Sequence, residues 1–314
     1  MKIISRPYAD VSDLHKIQAA TAEWTALIGN YVLNLHTGDI THRLFNGMRK
    51  YDACDLIRLW EDTEGSLCGW GLVYPRWNAY EVSAHPNHRD SDLLPEIIEW
   101  AEAETWRWMQ KEGRSDASIQ LEILEDDTTY IQLLERRGYH RTQHQRFVSS
   151  RSLDEPIPGG QLPAGFHIRS VAGAHEVEKV VEVQNRSFGW NLIPEVYGRF
   201  MESPGYNAQN QLVVVAADGH FAAVCTTFID DLNKVGMFED VGTHAHFRQM
   251  GLARAMLYHG MQQMKMRGMT KVLVPHRSSE ENKAAFNLYY HVGFRPAYTF
   301  YGYEKTMSNP MENQ

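Results

Sequence analysis

Val241-Gly-Thr-His-Ala-His-Phe-Arg248-Gln-Met-Gly251-Leu-Ala253-Arg254 is the stretch on which the fold turns. Before it, Val235–Thr243 reads as a strand. After it, Leu252 to Met266 is composed of strong helix formers and ends at Gly268. The chain thus passes from strand to helix through a short polar loop. Gly251 permits a sharp turn and close approach of a ligand to the backbone, and small Ala253 keeps the first helical turn open. The unpaired N–H groups of a helix start, with the helix dipole, attract anions, and Arg248 adds a cation. This is chemistry for a pyrophosphate held mainly by backbone amides. It is neither a GxGxxG dinucleotide fingerprint nor a GK[ST] phosphate loop.

Working outward, the same pattern occurs twice. Val82-Ser-Ala-His85-Pro-Asn-His-Arg89 aligns without gaps on Val241 to Arg248, and Ile131-Gln-Leu-Leu134-Glu-Arg-Arg-Gly138-Tyr139 aligns on Phe286-Asn-Leu-Tyr289-Tyr-His-Val-Gly293-Phe294. Ile4-Ser-Arg6 and Ile168-Arg169 open the two halves alike. One offset of about 155–160 residues means a duplicated domain rather than a solenoid. The total of 314 residues suits two cores. A stretch rich in proline and glycine from Arg151 to Gly165 separates them, so the expected organisation is a domain over 1–150, a linker over 151–165 and a domain over 166–314.

Composition narrows the class. Hydrophobic residues make up 43% and charged residues 22%, as in a soluble globular protein. No apolar run approaches the roughly 20 residues of a membrane helix, and the opening residues contain no signal-peptide core. Three cysteines, Cys54, Cys68 and Cys225, form no CxxC pair. A cytoplasmic protein with no membrane partner is expected. The net charge of −8 disfavours nucleic-acid binding. That charge is uneven. Residues 1–150 hold 16 Lys and Arg against 23 Asp and Glu, whereas the remainder holds 15 against 16. Seven of the eight tryptophans lie in the first half and ten of the thirteen methionines in the second.

In the second half the pattern predicts strands at Phe166 to Val171, Leu212 to Ala217, Gly219 to Ile229, Val235–Thr243, Lys271 to Val274 (stopped by Pro275) and Tyr298 to Glu304. Helices are predicted over 175–188, 252–266 and 279–291, the last opened by the capping box Ser278-Ser-Glu-Glu281. The order describes an α/β fold, a mixed sheet with helices on both faces. On the last helix Asn282, Phe286 and Tyr289 share a face at spacings of four and three. An isolated tyrosine at such a place packs into a core as readily as it serves chemistry.

Together, the Arg248-x-x-Gly251-x-Ala253 loop and the Asn282…Tyr289…Gly293-Phe294 helix, about 30 residues apart, resemble the GNAT superfamily of acyl-coenzyme A-dependent N-acetyltransferases. The resemblance covers the second half. It implies two tandem GNAT-like domains, each with a mixed, mostly antiparallel sheet flanked by helices, the first copy degenerate. It implies acetyl-coenzyme A as co-substrate, its pyrophosphate cradled by amides of Gln249, Met250, Gly251, Leu252, Ala253 and Arg254 beside Arg248. Its pantetheine arm would run along Val241, Gly242 and Thr243, in a gap opening beside the Lys271 strand, with Asn282 and Phe286 also on the cofactor side. Tyr289 falls where the family places the residue that protonates the departing thiolate. Such a transfer also needs a base. Glu239 has the strand parity of Val241 and Thr243 and is expected to face their side, although the family's glutamate falls nearer Met237. Trp190, Asn191 and Tyr301 are candidate acceptor contacts. The expected reaction is acetyl transfer to a primary amine of a small molecule in the second domain. The alternatives are a non-catalytic acyl-coenzyme A sensor and a structural tandem protein. His244-x-His246 lacks the further ligands a zinc site needs, so no metal is expected.

In the first half, Asp90-Ser91-Asp92 aligns on Gln249-Met250-Gly251, Leu94-Pro95 on Ala253-Arg254, and Leu134 on Tyr289. Two carboxylates would stand where the second copy binds an anion, so the first copy is expected not to bind acyl-coenzyme A in the usual way.

Overall fold

The computed structural model describes residues 2–114, 117–278 and 280–307. The elements run β1 (Ile3–Pro7), α1 (Val11–Ile28), α2 (Thr37–Thr41), β2 (Ile57–Asp62), β3 (Leu67–Tyr74), β4 (Ala79–Ala84), α3 (Leu93–Lys111), β5 (Ser118–Leu124), α4 (Thr128–Arg136) and β6 (His140–Ser152). They continue with β7 (His167–Ser170), α5 (Val177–Phe188), α6 (Pro194–Met201), β8 (Gln211–Val215), β9 (Phe221–Asp230), β10 (Val235–Thr243), α7 (Leu252–Met266), β11 (Lys271–Arg277), α8 (Lys283–His291) and β12 (Arg295–Thr306).

Two compact units result. The first comprises Met1–Leu35, Lys50–Arg146 and Tyr298–Gln314, the second His36–Arg49 and Phe147–Ala297. The division near residue 147 falls close to the compositional break, but two segments lie with the opposite half of the sequence: His36–Arg49 and the C-terminal strand. The 151–165 stretch is packed rather than free. Leu153 is buried in the second unit's core, and a side chain at Gly160 would meet the Ala255 backbone at 2.8 Å.

In the first unit β1 to β4 form an antiparallel meander, and β5 pairs antiparallel with β12, from Phe300 opposite Leu124 to Thr306 opposite Ser118. The tryptophans are mostly core. Trp24, Trp60 and Trp70 are fully buried. Gly71 makes room on β3 for Trp100 of α3, whose ring a Cβ there would meet at 2.6 Å. The Trp60 indole donates to Glu96 Oε1 at 2.8 Å.

In the second unit β7, β8, β9 and β10 are antiparallel neighbours and β11 joins β10 in parallel. One face packs on α7 and α8 through Leu212, Cys225, Phe238, Met256, Met261 and Phe294. The other packs on α5 and α6 through Val180, Val183, Tyr197, Val213 and Val224. The predicted α/β class holds. Differences are local. Strand β11 runs through Pro275 to Arg277, because its pairing with β10 ends at Leu273 and the missing proline N–H takes no rung from β10. Helix α8 starts at Lys283, not 279. Asn282 is its N-cap, accepting from the Ala285 N–H at 3.1 Å, while Ser278 Oγ accepts from Glu281 in the preceding turn. Of the proposed capping box, Ser279 lies outside the described residues. Helix α6 was not anticipated, although Pro194 at its first turn is a helix-start signal.

Candidate active site

The site is built where β10 and β11 part. They pair only from Val235 opposite Lys271 to Met237 opposite Leu273, yet β10 continues to Thr243 and β11 to Arg277. Past Met237 the ladder opens into a cleft between two parallel strands. On its other side β10 bulges. Glu239 sits opposite Thr226 and Gly242 opposite Val224, so three steps on β10 match two on β9. The extra residue is accommodated by Asp240, which adopts φ +50°.

The bulge corrects the parity expected for the base. Glu239 and Gly242 now share a face. A Cβ at Gly242 would lie 2.7 Å from Ser187 Cβ and Phe188 Cζ, so that face looks to α5. Val241, by contrast, packs with the α7 and α8 core. Glu239 therefore faces the α5 and α6 side, opposite to Val241, and Asp240 does not take the plain alternate position of a regular strand.

On the α7 side stands the helix start read from the sequence. Gly251 (φ +78°) and Gln249 (φ +65°) are both left-handed. Such a turn gathers backbone N–H groups into a concavity that suits an anion. The first intrahelical bond at this end runs from the Ala255 N–H to Gly251 O at 3.1 Å, and the amides of the first turn precede it. Met250 and Arg254 are exposed, Ala253 half-buried and Leu252 buried. Arg248 donates to Ser187 O at 2.9 Å and Thr243 O at 3.4 Å, tying the loop to α5.

Tyr289, Phe286 and Asn282 come up from α8. Tyr289 is buried, 5.6 Å from the His276 ring and 6.0 Å from Phe294. Burial, then the carboxylate of Glu239, pushes its phenol above the ordinary value, so it keeps its proton. His276 is held neutral by burial. Its Nδ1 donates to Arg277 O at 2.8 Å, which leaves Nε2 to accept from the Ser149 hydroxyl at 2.8 Å. Phe286 lies 5.9 Å from the same ring.

Glu239 is half-buried, and its carboxyl is pushed up to about 8. Burial is the main cause, followed by the charges of Asp39 and Asp240, while His42 and Arg43 oppose them. Three of these neighbours come from the 36–49 segment, which sequence reasoning missed. There α2 runs into a π-helical stretch, His42–Gly47. Arg43 Nε donates to Asp39 Oδ2 at 2.7 Å. His42 Nε2 lies 3.3 Å from Asp240 Oδ2. The segment is seated by His36 Nε2 on Val235 O at 3.2 Å, and by His42 against Phe200 and Phe228, each 5.7 Å away. Its signal in the sequence was slight: four titratable groups in eight residues, His36, Asp39, His42 and Arg43, outside both repeated blocks.

The acceptor candidates divide. Trp190 is 41% exposed and stacks on Phe188 at 4.4 Å, so it stands at the rim beside Gly242. Asn191 is exposed next to it, in a loop closed by Asn185 on Leu192. Tyr301 is built into the first unit instead, opposite Ile123 with Arg141 over its ring at 3.2 Å. The β12 pairing with β5 carries it there.

The aligned loop of the first unit keeps the turn but differs at the helix start. His85 and His244 cap their turns identically, each Nδ1 accepting an N–H two residues on at 3.1 Å. Asp92, however, has φ −69°, Ser91 Oγ accepts from the Leu93 N–H at 3.3 Å, and Pro95 lacks an N–H in the first turn of α3. Arg89 is engaged by both oxygens of Asp127 at 2.6 and 2.7 Å.

Residues 177–294 match the model of the acetyltransferase (GNAT) family. The chain is 22% identical over 260 residues to a mycothiol acetyltransferase of Saccharomonospora viridis, an alignment covering 76% of this chain and 79% of that protein. Among solved structures it is similar to a GCN5-related N-acetyltransferase from Sphaerobacter thermophilus, with TM-score 0.63, 20% identity and coverage of 98% and 96%. It is also similar to a tandem GNAT protein from the clavulanic acid biosynthesis pathway, with TM-score 0.66, 13% identity and coverage of 98% and 99%. At these identities the structural likenesses speak for the fold, while the family model falls on the α5-to-α8 region that carries the cleft and the helix start. The match to the GNAT acetyltransferase family thus falls on the second unit, from α5 to α8, and supports an acyltransferase.

Proposed function

We propose that the protein transfers an acetyl group from acetyl-coenzyme A to a primary amine of a small molecule, with the chemistry in the second unit. One observation carries this reading: β10 and β11 no longer pair past Met237, and Glu239 of β10 and Tyr289, 5.6 Å from the His276 ring of β11, border that opening from opposite faces of the sheet. Acetyl-coenzyme A supplies the thioester. The residues fit it, with amides at the start of α7 for the pyrophosphate and β10 left unpaired with β11 past Met237.

In this reading Glu239, from the α5 side, takes a proton from the amine as the nitrogen–carbon bond forms. Tyr289, from the α8 side, gives its phenolic proton to sulfur as the carbon–sulfur bond breaks. Backbone N–H near Val241 and Gly242 polarises the carbonyl. A carboxyl raised to about 8 is a stronger base than an ordinary one, and its ionised fraction grows as pH rises through that value. Trp190 and Asn191 border the acceptor. The first unit, its loop filled by Ser91 and faced with Asp90 and Asp92, is read as carrying no acyl-coenzyme A.

Release of free thiol from acetyl-coenzyme A, measured against aminoglycosides, polyamines, amino-acid derivatives and mycothiol-type acceptors, tests the proposal. One or more amines should support turnover, with an acidic limb near pH 8. Glu239→Gln should lower kcat by roughly 10²–10³-fold and Tyr289→Phe by roughly 10–10²-fold, with acetyl-coenzyme A binding retained in both. Tight cofactor binding without transfer to any amine, and indifference to Tyr289→Phe, would establish a sensor instead.

A further inference from the structure

The 36–49 segment is sequence from the first half placed in the second unit, and its His42 makes a direct ionic contact with the β10 bulge. We propose that His42 is a positioning residue for the transfer: it clamps Asp240 in the bulge and supplies the positive charge that keeps Glu239 able to act as base. The proposal rests on the reading of Glu239 as base and goes beyond it, because the residue concerned belongs to neither motif of the family resemblance.

The geometry is specific. Asp240 is the extra residue of the bulge, at a positive φ that non-glycine residues seldom adopt. A carboxylate there needs a partner, and His42 Nε2 stands 3.3 Å from its Oδ2. The ring is fixed on both sides, edge-on to Phe200 and tilted on Phe228, in a π-helical stretch of the kind that often marks functional positions. The Asn46 side-chain amide lies 3.3 Å from the same Nε2, and beside a protonated ring it is the amide oxygen that faces it. His42 Nδ1 is buried with no hydrogen-bond partner among the described residues.

Facing His42 are the charges of Asp39 from its own segment and of Glu239 and Asp240 from β10, while the adjacent Arg43 is paired to Asp39. The neighbouring β9 and α6 present the aromatic rings of Phe228 and Phe200. Burial opposes a charged imidazole, but Asp240, Asp39 and Glu239 outweigh it and hold the ring's proton affinity above the ordinary value. The imidazolium in turn favours the ionised form of Glu239. Without it, Glu239 would face two carboxylates offset by Arg43, which is itself paired to Asp39. Its proton would leave only at a higher pH.

The test is the pH dependence of kcat/KM in the full chain for wild type, His42→Gln and Glu239→Gln, with a thermal melt to show that each variant is folded. In His42→Gln the acidic limb should move up by roughly one pH unit, about a tenfold loss below the limb, with little change at the high-pH plateau. In Glu239→Gln the limb should vanish. If Glu239→Gln abolishes the limb and His42→Gln leaves it in place, the role of His42 is overturned and the base reading stands. If the limb survives Glu239→Gln, the base reading itself falls. Should His42→Gln not fold, the reciprocal measurement decides. Nuclear magnetic resonance of labelled histidine should show His42 losing its proton at lower pH in Glu239→Gln than in wild type, and an unchanged titration would overturn the proposal.

Discussion

Glu239 carries a stability consequence as well as a chemical one. Its carboxyl holds a proton more tightly in the folded protein, at about 8, than in the unfolded chain, where a glutamate has its ordinary value near 4.5. The stability tied to that proton is fully present below about 4.5 and is lost as pH rises through 8. Glu239→Gln should therefore melt close to wild type at pH 5. At pH 9 it should be more stable by about 1–3 kcal/mol, a range reduced for the residue's partial exposure. Thermal or urea unfolding at the two pH values measures the difference, and equal gains at both would rule out this cause. The sequence could name Glu239 but not its surroundings. Parity along β10 assigned it to the side of Val241, because a bulge that inserts Asp240 leaves no mark in alternation. The groups that tune it lie some 200 residues away in His36–Arg49, which no local periodicity connects to β10.

At the scale of elements, the strand–loop–helix unit was legible because each part has a local cause. The bounds of β10 and α7 fall at Val235–Thr243 and Leu252–Met266 as the pattern predicts, and glycine stands at the left-handed turn between them. The contrast between the two copies was legible for the same reason. Gly251→Asp puts a carboxylate at the open end of α7 and should weaken acetyl-coenzyme A binding by roughly 100-fold or more, read by calorimetry. Asp92→Gly should create no binding, since Ser91 still covers Leu93, Pro95 still lacks its amide and Arg89 stays on Asp127. Gly242→Ala is the complementary case. Its new methyl would meet Ser187 and Phe188 at 2.7 Å, so α5 must shift from β10. Stability should fall by about 1–3 kcal/mol together with activity. The cleft itself was foreseen only through the family resemblance. Strand divergence is a property of pairing between β10 and β11, and neither strand's residues announce it.

For the whole molecule, composition distinguished two halves and the repeat showed one fold used twice, but neither could place the exchanged segments. The tryptophan bias has a packing reason, since Trp24, Trp60 and Trp70 fill the first unit's core against α1 and α3. The exchange has a sharper consequence. A cut at the obvious linker, between Ile157 and Pro158, leaves the N-terminal piece without β12, the partner of β5, and exposes a bare strand edge. The C-terminal piece loses His36–Arg49, and with it His42 from Asp240 and the cover over Glu239. Each piece alone should therefore aggregate or melt well below the full chain. Co-expression of the two should recover a folded complex with thiol-releasing activity, because β12 and the 36–49 segment can then reach their units. Circular dichroism, size exclusion and the thiol assay on separate and co-expressed pieces measure this. An active, stable C-terminal piece by itself would show that the second unit completes its site without residues from the first half, and would remove His42 from the mechanism.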